Sequence, residues 1–413
     1  MSRAQFSRRL FLTRSAALGC SLAASPLLTP VTLASAPWEN RLVVIILRGA
    51  LDGLDAVRPY GAPEFADLRG ELVGADVPGD LDLDGYFALH PALAPLMPLW
   101  RAGQLGFAHA VSTPYRDKRS HFDGQDILEA GTGGPGPGET HDGWLNRMLQ
   151  TFPGIETETA YAIGRADMLL MRGAAEVANW SPDAALALSP QAQDLLEMVM
   201  HDDPLFRDAL QEAVTLTGKS MALSGDDAPP DASGMMEAMQ ESMDAARKKG
   251  GVEDIARFAA GRLREESRIA AYSLTGFDTH ARQERNLPRA LKALSDNLLA
   301  LREGLGPVWD KTAVVAMTEF GRTARANGTR GTDHGTGGAM VMAGGALRGG
   351  RVVADWPGLA EADLYQRRDL MPTRDVRAHS GWIMRHLFGL DKSVIETTVF
   401  PGLDMGADPK LIV

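Results

Sequence analysis

Arg41–Leu47, RLVVIIL, sets four consecutive Val and Ile residues in a run that is apolar on both alternating faces. A strand that can face water on neither side belongs inside a sheet covered by helices above and below, the setting of parallel strands. Ala313, Val314, Val315 and Ala316 form a second such run, ending almost directly on Glu319. Leu105–Val111 and Ile269–Leu274 read as further strands, and Tyr161–Gly164, Met168–Met171, Met340–Ala343 and Val352–Val353 as short ones. Helical spacing of apolar residues falls between them, at His90–Gly103, His121–Glu129, Trp144–Leu149, 190–221, 234–266, 287–305 and Val376–Phe388. Strands alternating with helices predict a three-layer α/β/α fold with a largely parallel central sheet. Residues 37–413 are expected to form one domain, with a mainly helical insert at about 185–260 broken by the linker-like LSGDDAPPDAS of 223–233.

The N-terminus reads as an export signal. Ser7–Leu12, SRRLFL, has the twin-arginine pattern, and Ala34, Ser35 and Ala36 supply a cleavage site after Ala36. Gly19 and Pro26 interrupt the apolar stretch short of the ~20 residues a bilayer span needs, so stable membrane insertion after cleavage is not expected. An uncleaved anchor, or a lipoprotein site at Cys20, are the alternatives. The expected location is the periplasm or the medium, with the twin-arginine translocase as partner during export. Cys20 is the only cysteine and would leave with the signal, so stability must come from the core. Residues 1–36 hold four arginines and no acid, leaving 38 basic against 53 acidic residues, a net charge of −15. That balance excludes nucleic acid and anionic membrane surfaces as natural partners.

The predicted strands end on polar groups. Asp52 follows Arg41–Leu47, Ser120 and His121 come after Leu105–Val111, Asp278 and His280 after Ile269–Leu274, and Glu319, Asp333 and His334 after the run at Ala313–Ala316. Each has a plain reading: Asp52 as a turn, Ser120 as a helix N-cap with Asp123 at the capping-box position, Asp278 as a cap, Glu319 paired with Arg322 or Arg325, Asp333–His334 as a turn. A caps-only account needs a separate coincidence at nearly every central strand. Alternating Asp and His suits divalent metals, and Ser or His at the head of a helix suits a nucleophile. Asp52, Asp278, His280, Glu319, Asp333 and His334 are therefore the candidate ligands, and Ser120 or His121 the candidate catalytic group. Arg48, Arg119 and Arg322 lie beside them and could bind a phosphate or sulfate oxygen. His90 and His109 read as core histidines, while His141, His201, His379 and His386 lack an acid at a strand end.

Through LRGALDGLD, SHFDGQDILEAG with HDGWLNR after it, GFDTH, and TEFGR followed by GTDHG, the chain resembles a bacterial family known only as domain of unknown function 1501. Members typically carry a twin-arginine signal. That family in turn is similar to a distant branch of the alkaline phosphatase and sulfatase superfamily. The resemblance implies an alkaline phosphatase-like sheet and one or two divalent ions, Zn, Mn, Ca or Mg. It gives Asp52 the first-strand role, Ser120 or His121 the nucleophile's, and Asp278 with His280 part of one metal shell, Glu319 replacing the later acid and His334 the final histidine. Glu319 and Phe320 stand where the superfamily commonly has an Asp and His pair. The implied activity is hydrolysis of a small anionic ester, a phosphate or sulfate. The alternative is a non-catalytic metal-binding or assembly protein of the periplasm that retains the fold.

Overall fold

A computed structural model of the chain describes residues 38–73, 81–116, 118–133, 142–152, 159–163, 168–180 and 251–413. The expected signal at 1–36, the helix at 190–221, the linker at 223–233, His141 and His201 lie outside the described residues.

The strands are β1 (Arg41–Leu47), β2 (Val57–Arg58), β3 (Ala88–Leu89), β4 (Leu105–Ser112), β5 (Ala160–Ile163) and β6 (Ala178–Trp180). They continue with β7 (Ile269–Leu274), β8 (Thr312–Met317), β9 (Gly338–Ala343), β10 (Val352–Val353) and β11 (Arg374–Asp375). One sheet runs β10-β4-β9-β8-β1-β7-β5-β6, with β11 also paired to β4, and β2 with β3 forms a small separate ribbon. β1 lies between β7 and β8 and parallel to both. Among the described strands of this sheet only β9 runs against its neighbours, antiparallel to β4 and to β8.

The unbroken apolar run of β1 follows from this central place. Leu42, Val44 and Ile46 face one side, where Leu145 and Leu149 of one helix and Ile383 and Leu387 of another pack. Val43, Ile45 and Leu47 face the other, against Ala256, Ala259, Leu291, Leu294 and Leu298. Fully burying each such side chain contributes about 1.5–3 kcal/mol. The helices that matter below are α1 (His121–Ala130), α2 (Trp144–Gln150), α3 (Val252–Arg264), α4 (Gln283–Leu305) and α5 (Val376–Phe388). α2 and α5 cover one face, α3 and α4 the other, so the three-layer fold with a mostly parallel sheet is observed.

Two local expectations change. Met168–Met171 is no strand: Leu169–Met171 winds as a short 3-10 turn, the Leu170 amide donates to Glu129 and Asn146 donates to the Met171 carbonyl. Side chains, rather than a neighbouring strand, take these backbone groups. His90–Gly103 forms a 3-10 segment, Pro91–Leu96, before its α-turns at Met97–Arg101, because Pro95 cannot donate to an α-helical ladder. Among the described residues no helix is long and apolar enough to cross a membrane.

Candidate metal centre

Parallel β1, β7 and β8 deliver their following loops to one edge of the sheet. β4 points the same way because two antiparallel pairings separate it from β8, and β9, reversed, begins at that edge. Asp278 and His280 follow β7, Glu319 follows β8, His334 precedes β9, and His121 opens α1 after β4. The loops approach closely. Gly49 has φ +113°, and a Cβ there would lie 2.5 Å from the Asp278 amide nitrogen, so only glycine fits between the β1 and β7 loops.

His121, Asp278 and His334 each present a ligand atom, all within 4.8 Å of one another. His121 Nε2 is 3.6 Å from Asp278 Oδ2, and His334 Nε2 is 3.4 Å from Asp278 Oδ1. His280 adds a fourth group, its Nε2 3.1 Å from Asp278 Oδ1 and 2.8 Å from His334 Nε2.

The opposite nitrogens of the three rings face oxygens. His121 Nδ1 lies 2.8 Å from Glu319 Oε1, His334 Nδ1 2.8 Å from the Arg119 carbonyl, and His280 Nδ1 3.6 Å from Asp333 Oδ1. The first two are at hydrogen-bond distance and assign the ring proton of His121 and His334 to Nδ1, while 3.6 Å is too long to assign that of His280. The Nε2 lone pairs of His121 and His334 are then left turned toward the Asp278 carboxylate. His280 Nε2, 2.8 Å from His334 Nε2 and 3.1 Å from Asp278 Oδ1, meets these groups either by donating a proton to them or as a further nitrogen ligand to a cation. His121 Nε2 is buried and has no hydrogen-bond partner among the described residues. A carboxylate or carbonyl behind each imidazole is the usual support of a metal-bound histidine. The site fits an ion with nitrogen and carboxylate ligands, Zn²⁺ or Mn²⁺. Ca²⁺ and Mg²⁺ prefer an all-oxygen shell and match it less well.

The electrostatics agree. Hydrogen bonding to Glu319 raises the pKa of His121 against the effect of burial, with Asp278 adding to the rise. Burial alone would raise Glu319, but bonds from His121, Gln125 and the Gly49 amide hold it below the usual carboxylate range. Asp278 is likewise held down against burial, by Arg322. Burial lowers His334, and Arg322 and the two neighbouring imidazoles lower it further. Asp333 is lowered first by its bond from Asn327.

Several sequence expectations are corrected by this geometry. Asp52 is fully buried, with Arg69 Nη1 and Nη2 at 2.6 and 3.0 Å from its two oxygens and Gln283 Nε2 at 2.7 Å. Despite the cost of burial, Arg69 keeps it ionised. Both of its oxygens are taken by these buried partners. Gln283 also donates to Asp55 and accepts from Thr279 and Thr332, so this network fastens the loops that carry Asp278, His280 and His334. Glu319 and Asp333 lie on the Nδ1 sides of His121 and His280. His121 is held at Nδ1 by Glu319, and its Nε2 is turned toward Asp278. Arg322 is buried and donates to the carbonyls of Gly49, Ala50, Phe277 and Thr332 and to Asp278, so it clamps loops and does not face a substrate. Arg48 is committed to Ser273, Gln125 and Glu129. Arg119 is held through Nη2 by Asp369 and Gln366, while its buried Nε has no partner among the described residues. Ser120 caps α1, accepting from the Asp123 amide at 3.5 Å, and its own amide donates to the Tyr115 hydroxyl. His90 and His109 are core histidines as expected, and His379 is also buried. Sequence reasoning missed Arg69, Gln283 and Gln125. Only Gln125 left a signal, one helical turn from His121.

An α/β protein with a histidine-rich ligand cluster at the carboxyl edge of its sheet is the class these observations define. The chain belongs to the family described as protein of unknown function (DUF1501), whose model matches residues 39–389. Among solved structures it is similar to the lipoteichoic acid synthase LtaP from Listeria monocytogenes, at 9% identity and a TM-score of 0.37, over 90% of this chain and 76% of that one. An overlap that loose carries no argument about activity. No curated protein matches the sequence.

Proposed function

We propose that this chain is an exported metal-dependent hydrolase of phosphate or sulfate esters, using one divalent ion, Zn²⁺ or Mn²⁺, held by His121, Asp278, His280 and His334. The observation that carries the reading is the trio of imidazoles, each with Nδ1 facing an oxygen and Nε2 turned toward Asp278 or its neighbouring ring. When bound, the ion supplies Lewis acidity toward the ester oxygens.

The chain's own groups supply the remainder. Glu319 fixes the His121 ring and its tautomer, and Arg322 holds Asp278 in place. Ser120 heads the ten-residue α1, where unpaired amides and the helix dipole favour an incoming anion. Its hydroxyl, which makes a long cap bond and also meets the Tyr115 hydroxyl, is the group that attacks phosphorus or sulfur, its proton leaving with the departing alcohol as that bond breaks. Water then releases the acid and restores the serine. Arg119 keeps an unpaired Nε, the donor available for a non-bridging oxygen. The twin-arginine pattern at Ser7–Leu12 supports export with cleavage after Ala36 and release into the periplasm or medium.

The test is an ester screen on protein purified by its native export route, with phosphomonoesters, phosphodiesters and sulfates and added Zn²⁺ or Mn²⁺. Turnover of one class is expected, falling more than about a hundredfold in Ser120→Ala with metal content unchanged. Inactivity across the screen with the ion bound would contradict hydrolysis. It would favour a second reading, a non-catalytic metal-binding protein, to which the structural commitment of Arg48 and Arg322 lends support.

A further inference from the structure

A cavity of about 470 Å³ adjoins the metal centre, within the range of small-molecule sites. Three of its lining residues touch groups that hold the centre. Asp333 faces His280, Asn327 donates to Asp333 and to the His280 carbonyl, and Arg368 donates to the His334 carbonyl. The cavity is therefore the space beside the ligands' outer rim, and the exposed Asp67, Arg325 and Arg367 put its mouth in solvent.

Its walls mix charges. Glu64, Asp67, Asp333 and Glu361 bring carboxylates, and Arg325, Arg367 and Arg368 bring guanidinium groups, while Leu68, Leu359 and Leu364 give an apolar floor. An anionic occupant would meet the acids, a cationic one the arginines, and an alkyl chain would strand the polar rim. A hydroxyl both donates and accepts, so a ring bearing several can satisfy carboxylate and guanidinium together while its C–H face rests on leucine. Asp67 and Arg325 are exposed and their side chains make no hydrogen bond or ion pair among the described residues, so these are free for such a ligand.

We infer that this cavity is a subsite for a neutral, polyhydroxylated, sugar-like group. Its role as the seat of the ester's alcohol portion rests on the hydrolase reading above; the binding does not. The probe is saturation-transfer NMR of the full zinc-loaded chain with maltose, cellobiose and lactose, and n-hexanol as apolar control. At least one disaccharide should receive transfer and hexanol none. The double variant Asp67→Ala with Arg325→Ala should weaken that binding about tenfold or more, with zinc content and melting temperature unchanged. Transfer to hexanol alone, to no sugar, or equally in the double variant would overturn the inference. Sugar binding without ester turnover would remove only the hydrolase reading, and turnover without sugar binding only the subsite.

Discussion

Replacing Glu319 by Gln isolates one charge behind the metal centre. Glu319 Oε1 accepts from the Gly49 amide at 2.9 Å, from His121 at 2.8 Å and from Gln125 at 3.2 Å, and Oε2 accepts from Thr318 Oγ1 at 2.8 Å. A glutamine carbonyl can keep the first three bonds. Its amide can donate to Thr318 Oγ1, which then turns its proton to the Leu47 carbonyl 2.8 Å away. The second amide N–H has no acceptor in this buried site, so the metal-free fold should lose about 1–3 kcal/mol and remain folded. What goes is the negative charge that makes His121 a better donor to a cation. Loss of such a support typically costs about 10–100-fold in metal affinity, or about 1.4–2.8 kcal/mol. Titration of Zn²⁺ against a chromophoric chelator measures it, with thermal melts of metal-free protein as the fold control. An unchanged affinity in a folded Glu319→Gln protein would refute the assignment of His121 as a ligand supported by Glu319.

Arg69→Met should cost about 3–5 kcal/mol in urea unfolding, because Asp52 is left charged and buried without its partner; a loss under about 1 kcal/mol would deny that pair. Acid should destabilise the metal-free protein through three buried histidines. Burial pushes His90 and His109 down to about 4 and His379 to about 3. Ring nitrogens of His90 and His109 also accept from the Ala92 and Ala110 amides, which requires the neutral form. With folded pKa values below the unfolded ~6.5, the unfolded chain binds more protons in between. Their contribution is therefore whole above about pH 6.5 and falls by roughly 4 kcal/mol per pH unit near pH 5. A urea midpoint flat from pH 7 to 5 would contradict this. Gly124→Ala would set a Cβ 2.9 Å from the Phe320 ring, which stacks on His121 at 5.3 Å. It should cost about 1–3 kcal/mol of stability and weaken Zn²⁺ binding, both readable from melts with and without the ion.

The sheet was legible because β1 and β8 are apolar on both faces, a pattern few other settings accept. The edge that carries the site was legible too, since Asp278, His280 and His334 follow or precede strands there. Which acid would be a ligand was not. Asp52 and Asp278 look alike in sequence, yet Arg69, seventeen residues beyond Asp52, neutralises one, and no periodicity joins those positions. Glu319 sits two residues past β8 and stays buried behind His121, while Asp278, four past β7, reaches the open rim with its side chain 47% exposed. That difference of depth is set by loops packing on one another. The Ser120 and His121 pair was ambiguous for a similar reason, because only the positions of Tyr115, Asp123 and Glu319 distinguish the cap from the ligand.

Anomalous diffraction at the zinc edge from crystals of the zinc-loaded protein tests the central claim most directly. One strong peak should lie within coordination distance of His121 Nε2, Asp278 and His334 Nε2, with His280 at its outer side, and should vanish in His334→Ala. No peak there, or a sole peak on ligands elsewhere in the chain, would contradict the assignment of this cluster as a metal centre.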